Sequence, residues 1–302
     1  MSKLRIDQYL ALFLLSLVFL IPVKQVLPQE MILPEIILDK ISPIPVLNGD
    51  QQPESFIASL SAQSFVAIDV DSAAILLEKD AHQKVSPAST TKIMTALVAK
   101  DLFDLEQALT VKNKSLNIGH TIGFEKGEKF STNDILKALL VNSGNDAAEI
   151  LAQNHPEGYD AFILAMNRKA VDFHLLDSVF SNPSGLDSTS HYSTAFDLSL
   201  LARELMKDQV LREMVRTQQV QIQNLSSNRR YYLYNTNLLL GIEPGVVGIK
   251  TGTTDLAGEA LITQVEREGK QILIVVLGSQ DRYSDTKQII DWIFSHYQWL
   301  EI

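Results

Sequence analysis

Sequence with strand character occurs in two separate parts of this chain, and a long region with helical character lies between them. Residues 64–70 and 73–78 are rich in apolar and β-branched side chains and flank a turn at Asp71 and Ser72, which predicts a hairpin. Strand patterns return at about 218–222, 231–234, 257–266 and 272–277. A sheet that unites both parts must enclose the segment between them. We therefore expect an α+β fold: a mostly antiparallel sheet flanked by helices, with an inserted all-helical subdomain over about 102–206.

Apolar residues at helical spacing predict the helices themselves. The first follows the hairpin and runs from about Thr90 to Lys100. The others are expected at about 133–140, 147–152, 159–172, 194–206 and 285–297. In this arrangement, a cleft between the helical subdomain and the sheet is the natural position for a functional site.

Composition narrows the possible functions. The 302 residues are 46% apolar, which is enough for a substantial core. With 26 Lys and Arg against 36 Asp and Glu, the formal charge of −10 repels a phosphate backbone, so we expect no nucleic-acid partner. The absence of cysteine excludes disulfides, thiolate metal sites and a cysteine nucleophile. The histidines show no metal-binding spacing, and we expect neither a metal nor a cofactor.

The N-terminal residues have the character of a membrane segment. Lys3 and Arg5 precede an apolar run from Tyr9 to Val23, which as a helix would span roughly 22 Å. That length suits either a signal peptide or a short anchor. Because no small-residue cleavage pattern follows, we expect residues 1–28 to anchor the protein in the cell membrane, with the remainder outside the cytoplasm. A cleaved signal peptide, which would give a secreted protein, stays open.

Two further boundaries follow from composition. Residues 29–62 alternate prolines and polar residues with short apolar pieces, which predicts an extended tether. The folded body is then expected as one domain over 63–302.

Ser89 and Lys92 are the first candidate catalytic pair. They lie three residues apart at the start of a predicted helix, so their side chains share one face. A serine hydroxyl is a weak nucleophile until a base takes its proton, and a lysine is such a base only when burial or nearby positive charge keeps it neutral. The same spacing recurs at Ser284 and Lys287, where the serine precedes the last helix and an N-cap is the ordinary explanation. Spacing alone supports cap and nucleophile equally for Ser89.

A second polar element interrupts two helical pieces. Ser143, Gly144 and Asn145 follow an apolar run, so their polar groups lie at the edge of a core and need partners. Gly144 is expected to supply the backbone freedom of a tight loop from which the two polar side chains project.

The third element, Lys250, Thr251 and Gly252, occurs once in the chain and leads into a further strand. We expect it to be a strand beside the cleft. We interpret Lys250 as a second positive charge that lowers the pKa of Lys92. Thr251 would offer a hydroxyl to a substrate carboxylate, and Gly252 would let the substrate backbone approach closely. An exposed turn explains any one of these elements, but it is a poor explanation for all three in this order.

With these motifs in this order, the chain resembles the serine penicillin-binding proteins, specifically the D-alanyl-D-alanine carboxypeptidase family. The similarity covers about residues 63–297. Beyond the three motifs it includes the segments Ser143–Ala148, Phe180–Leu186, His191–Ala195 with Asp197, and Asn235–Leu239. The resemblance implies a β-lactamase/transpeptidase-like fold. It also implies that the partners are peptidoglycan stem peptides ending in D-Ala-D-Ala, and β-lactam antibiotics as covalent inhibitors.

The resemblance implies four catalytic residues. Ser89 would attack the carbonyl of the penultimate D-alanine while Lys92 accepts its proton. Ser143 and Lys250 would then relay a proton to the departing amine. The expected activity is therefore that of a serine-type D-Ala-D-Ala carboxypeptidase working through an acyl-enzyme.

Substrate binding, by the same resemblance, would fall to Asn145, Thr251, Gly252, Thr253 and Arg282. Asn145 would either hold the substrate backbone or orient Lys92. The backbone amides of Ser89 and Thr253 would form an oxyanion hole. For Arg282, a solvated surface arginine is an equally good explanation. His191 and Asn182 belong to the shared pattern and are expected to be structural.

Three alternative functions stay open. A peptidoglycan endopeptidase would cut at the same D-Ala carbonyl, and the sequence does not separate it from a carboxypeptidase. A β-lactamase is disfavoured because no Glu-x-x-Leu-Asn element for rapid deacylation lies between Asn145 and Lys250. An inactive wall-binding scaffold on the same fold is disfavoured because every catalytic position is filled.

Overall fold

The computed structural model describes residues 43–49, 53–113 and 119–300. The expected membrane segment lies outside these ranges. Within them, no helix has both the length and the apolar character needed to cross a membrane. In chain order the strands are β1 (Ile44–Leu47), β2 (Ser64–Asp69), β3 (Ile75–Lys79), β4 (Ala108–Thr110), β5 (Lys129–Ser131), β6 (Gln219–Gln223), β7 (Arg230–Tyr234), β8 (Val246–Thr254), β9 (Gly258–Arg267), β10 (Lys270–Ser279) and β11 (Tyr297–Leu300). The helices are α1 (Glu54–Ser59), α2 (Lys92–Leu102), α3 (Thr132–Leu140), α4 (Asn145–Gln153), α5 (Tyr159–Asp172), α6 (Ala195–Lys207), α7 (Gln209–Arg216) and α8 (Arg282–His296).

A five-stranded antiparallel sheet in the order β3-β2-β10-β9-β8 is the framework of the fold. The early hairpin and the late strands meet where β2 pairs with β10. This arrangement confirms the predicted α+β class. Apolar residues on one face of the sheet pack against α2 and α6, while those on the other face pack against α8. Both faces are therefore covered, which explains why the central strands have apolar side chains on both sides.

The segment between the two halves of the sheet is mainly helical, as expected, but differs in two details. β4 and β5 pair as a short ribbon because Leu109 and Phe130 are both buried in the core. The insertion is therefore not all-helical. Helix α7 extends the helical region past the predicted end at residue 206. It begins where the Asp208 side chain accepts a hydrogen bond from the backbone N–H of Leu211, at 2.9 Å.

The predicted tether over 29–62 contains regular structure in its second half, which corrects the expected start of the folded body at residue 63. β1 pairs antiparallel with β11. Pro45 is compatible with this strand because β1 pairs on one side alone in the described ranges. Phe56 in α1 stacks on Trp292 with ring centroids 5.3 Å apart.

The last helix begins three residues earlier than expected. The Asp281 side chain accepts hydrogen bonds from the backbone N–H groups of Tyr283 and Ser284, at 3.1 and 3.0 Å. Asp281 is therefore the N-cap, and Ser284 lies in the first turn, which corrects the cap assigned to Ser284. The second Ser-x-x-Lys spacing remains a structural feature of α8.

Candidate active site

An open cleft of about 680 Å³ lies between the edge strand β8 and the helical region. Seven of the nine predicted site residues line it: Ser89, Ser143, Asn145, Thr251, Gly252, Thr253 and Arg282. Lys92 and Lys250 are both fully buried and reach the cleft through their terminal amines, which bond to Ser89 and Ser143. The structure thus brings all nine residues to one place.

Ser89 sits in a 3-10 turn, Ala88–Thr91, that leads directly into α2. Lys92 is the first residue of the helix, and its Nζ lies 2.8 Å from the Ser89 Oγ. Ala88 has a φ of 48°. A Cβ on Gly185 would lie only 1.8 Å from the Ala88 carbonyl oxygen. A glycine is required there so that the neighbouring loop can pack against the turn that carries Ser89.

Lys92 has three hydrogen-bond partners, and their donor or acceptor character indicates the protonation state in which Lys92 could act. Besides Ser89, its Nζ contacts the Oδ1 of Asn145 at 2.7 Å and the carbonyl of Ser184 at 2.6 Å. Burial lowers the pKa of Lys92 to about 7, although the charges of Asp146 and Glu149 act in the opposite direction.

A neutral amine has two N–H donors and one lone pair. The Asn145 Oδ1 and the Ser184 carbonyl can only accept hydrogen bonds, so together they use both donors of neutral Lys92. The remaining direction points at Ser89. The lone pair therefore faces the hydroxyl proton, which is the geometry that a general base requires.

Asn182 holds the loop that supplies the Ser184 carbonyl. Its Oδ1 accepts from the backbone N–H groups of Ser184, Gly185 and Leu186, at 3.2, 2.7 and 3.1 Å, and its Nδ2 donates to the Leu186 carbonyl at 2.9 Å. The sequence singled out this segment and expected Asn182 to be structural. The contact of Ser184 with Lys92 was not anticipated, because a backbone carbonyl leaves no sequence signal.

Ser143 lies across the cleft from Ser89 and accepts a 2.7 Å hydrogen bond from the Lys250 Nζ. Ser143 itself adopts the left-handed conformation, with a φ of 62°. Gly144 has an ordinary φ of −60°, which corrects the expectation that its backbone freedom shapes this loop. It is small for a different reason: a Cβ there would lie 2.6 Å from Ile122 and 2.8 Å from the Asp146 carboxylate.

Lys250 is the second buried lysine. Burial lowers its pKa well below the usual value, and the positive charges of Lys92 and Arg282 lower it further. The sequence predicted that Lys250 would lower the pKa of Lys92; burial is instead the main cause for Lys92, and the charge effect falls on Lys250. In either case the site disfavours two ammonium groups at once.

Gly252 and Arg282 close the β8 side of the cleft. A Cβ on Gly252 would lie 3.0 Å from both the Ala88 Cβ and the Ser89 backbone nitrogen, so this glycine lets the turn of Ser89 pack against β8. The close approach of substrate expected at Gly252 stays a prediction. The Arg282 Nη1 donates to the Gly252 carbonyl at 2.6 Å and to the Thr253 Oγ1 at 2.8 Å. Its side chain is 15% exposed, so Arg282 is not a solvated surface arginine.

Several cleft residues were not predicted to be functional. The Thr236 Oγ1 lies 2.6 Å from the Thr251 Oγ1, so two hydroxyls face the cleft as a pair. At the rim, Asp187 accepts from the Thr254 hydroxyl at 2.7 Å. His191 lies behind the site: its Nδ1 accepts from a backbone N–H and its Nε2 contacts a threonine hydroxyl at 2.8 Å. Burial lowers the pKa of His191 to about 4, which suits a structural role.

An antiparallel sheet that carries a Lys-Thr-Gly edge strand beside a Ser-x-x-Lys turn and a Ser-x-Asn loop defines the class of active-site-serine, penicillin-recognising enzymes. A comparison with solved structures agrees. The Streptomyces K15 DD-transpeptidase superposes with a TM-score of 0.74 at 29% identity, over 78% of this chain and 98% of that one. A D-alanyl-D-alanine carboxypeptidase from Mycobacterium tuberculosis superposes with a TM-score of 0.73 at 29% identity, over 78% and 92%.

The family is shown by the sequence comparison. The profile of the D-alanyl-D-alanine carboxypeptidase family, peptidase family S11, matches residues 49–281. The carboxypeptidase DacF of Bacillus subtilis is 30% identical over 78% of this chain, and DacB2 of Mycobacterium tuberculosis is likewise 30% identical over 78%. The matched region spans 63% of the length of DacF and 82% of DacB2. The chain belongs to this family of serine peptidases.

Proposed function

We propose that this protein is a serine-type D-Ala-D-Ala carboxypeptidase, which removes the terminal D-alanine from peptidoglycan stem peptides. The observation that carries the proposal is the position of the Lys92 Nζ, 2.8 Å from the Ser89 Oγ with its other contacts to two obligate acceptors. A lysine whose pKa is about 7 is substantially neutral near physiological pH. It can therefore serve as the base for acylation.

In the acylation step, the Ser89 Oγ bonds to the carbonyl carbon of the penultimate D-alanine and its proton passes to the Lys92 Nζ. The carbonyl oxygen becomes an oxyanion facing the backbone amides of Ser89 and Thr253. When the C–N bond breaks, the departing D-alanine amine takes a proton through Ser143. Lys250, bonded to the Ser143 Oγ at 2.7 Å, replaces that proton, which requires Lys250 to be the one ammonium group of the site while Lys92 starts neutral.

Substrate binding would use the open side of the sheet. Among the described strands β8 pairs only with β9, so its other edge can pair with an extended peptide. Arg282 and the paired Thr236 and Thr251 hydroxyls supply positive charge and donors for the terminal carboxylate at the end of this strand.

A second candidate is DD-transpeptidation, because a structure of that description shares this fold. The two reactions have the same acyl-enzyme and differ in whether water or an amine accepts the acyl group. Cleavage of crosslinks by an endopeptidase would also begin at the same carbonyl.

The location proposed for this activity is the outer face of the cell membrane, supported by the basic residues before the apolar run at 9–23. The mass of the mature protein tests anchor against cleaved signal peptide.

The nucleophile is tested by incubating the full-length protein with fluorescent penicillin. We expect stable covalent labelling of the native protein and none of Ser89→Ala. Ser284→Ala is the matched control, since it removes the serine of the second Ser-x-x-Lys spacing, and it should label normally. Unchanged labelling of a folded Ser89→Ala variant would refute the assignment.

The reaction is tested with a pentapeptide ending in D-Ala-D-Ala, with and without an added amine acceptor. Release of D-alanine with water as acceptor supports the carboxypeptidase. Product that forms only with the amine would favour transpeptidation, and cleavage restricted to crosslinked dimers would favour the endopeptidase.

A further inference from the structure

A second cavity of about 310 Å³ lies away from the catalytic cleft, where α6 and α7 approach the β9–β10 hairpin. Its helical wall carries four cationic side chains: Arg203, Lys207, Arg212 and Arg216. Glu266 is the one carboxylate among the lining residues. Lys207 pairs with Glu204 at 2.6 Å and Arg216 pairs with Glu266, so the excess positive charge of the cavity comes from Arg203 and Arg212.

The cations of this cavity, the arginine pocket, differ in their partners. Arg216 pairs with Glu266 at 2.5 Å, yet its buried Nε has no hydrogen-bond partner within the described ranges. Arg203 and Arg212 contact only the backbone carbonyls of Val70 and Met206, each at 3.4 Å. Neither has a carboxylate partner among the residues that the structure describes.

Arg203 and Arg212 are half-buried, and each guanidinium carries five N–H bonds in a planar fork, so most of their donors have no protein acceptor among the described residues. A carboxylate or a phosphate matches that fork with two parallel hydrogen bonds. We propose that the arginine pocket binds an anionic ligand through a carboxylate or phosphate group, with Arg203 and Arg212 as its principal contacts.

The pocket is distinct from the catalytic cleft. Ala260 on β9 lies opposite Gly252 in the cleft, whereas Glu266, further along the same strand, lines the pocket. Six residues of extended strand correspond to roughly 20 Å. The pocket would therefore hold a different part of a wall polymer from the stem peptide in the cleft, either a carboxylate of a neighbouring peptide or a phosphodiester.

The proposal is tested by titrating the full-length protein with inorganic phosphate and with succinate at fixed ionic strength, using calorimetry. We expect saturable binding of at least one of them, and an affinity at least tenfold lower for Arg203→Gln/Arg212→Gln. The control is Arg168→Gln/Arg230→Gln, which removes the same charge from two exposed arginines and should bind like the native protein. Absence of saturable binding to the native protein, or equal losses in both double variants, would overturn the proposal.

Wall preparations distinguish the two sources of the anion. Hydrofluoric acid removes phosphodiester-linked polymers, so binding that disappears after this treatment identifies a phosphate ligand, and binding that persists identifies a carboxylate. If Arg203→Gln/Arg212→Gln binds both wall preparations as well as the native protein does, the proposal that the arginine pocket binds an anion of the wall is wrong. Circular dichroism shows that each variant is folded, and this check does not depend on the proposed catalytic function.

Discussion

At the residue scale, the proposed catalysis depends on two lysines, Lys92 and Lys250, that are buried away from water. The sequence identified Lys92 and Lys250 and the need for a neutral base. Of the two acceptors of Lys92, it suggested Asn145 but not Ser184, because a backbone carbonyl leaves no sequence signal. It also misassigned Gly144, since a glycine required for close packing looks the same in a sequence as one required for its backbone freedom.

The pKa of Lys92, about 7, predicts the pH dependence of acylation. Only the neutral amine accepts a proton, so the acylation rate should rise with pH up to about 7 and then level off, falling about tenfold per pH unit well below that value. The second-order rate constant for a fluorescent β-lactam, measured between pH 5 and 9, checks this.

Glu149 provides a control for the same profile. Its negative charge raises the pKa of Lys92, so Glu149→Gln should shift the midpoint to lower pH. A rate that does not depend on pH in this range would show that Lys92 is not the base.

At the scale of elements, the sequence predicted the hairpin, most helices and the late strands because each has a clear periodicity. Helix α7 was missed although Asp208 supplies an N-cap signal, since the preceding helix ends only one residue earlier. The loop at 182–186 has no periodicity at all, yet it holds the carbonyl that contacts Lys92, the proposed general base, through the hydrogen bonds of Asn182.

Asn182→Ala tests this loop as a positioning element. Without the side-chain oxygen the Ser184 carbonyl loses its fixed place, and we expect acylation to slow by about tenfold to a hundredfold. The loss of an acceptor for the Lys92 ammonium should also move the midpoint of the pH profile to lower pH.

Asn224→Ala is the matched variant, because Asn224 is also a turn asparagine, with its Oδ1 accepting from the Ser226 backbone N–H at 2.8 Å. It should cost stability without changing the acylation rate of the folded protein. A similar midpoint for native protein and Asn182→Ala would assign Asn182 a purely structural role.

At the scale of the whole molecule, the first and last described strands are joined by contacts between residues far apart in sequence. β1 pairs with β11, and the Trp299 Nε1 donates to the buried Asp69 carboxylate at 2.7 Å. The sequence did not predict this closure, because residues 44–47 are a short strand among prolines whose partner lies near the other end of the chain. Local patterns do not specify pairings of that range.

Trp299→Phe tests the closure. It leaves the Asp69 oxygen without its indole donor, and we expect a loss of about 1–3 kcal/mol in the free energy of unfolding. Denaturant titration measures it. Trp292→Phe changes an aromatic ring of the same surface while leaving every buried carboxylate paired, so it should cost less. Equal losses would mean that ring packing, and not the hydrogen bond, holds this region.

The order of the central strands sets a sequence of events for a chain that is made from its N-terminus. Ser89 and Lys92 are synthesised early, but β2, which precedes them, gains its neighbour β10 only near the end of synthesis. Lys250 and the β8 edge also arrive late. A nascent or prematurely terminated chain therefore contains Ser89 but lacks Lys250 and strand β8. We expect Ser89 to become reactive only when the last strands have been made and paired.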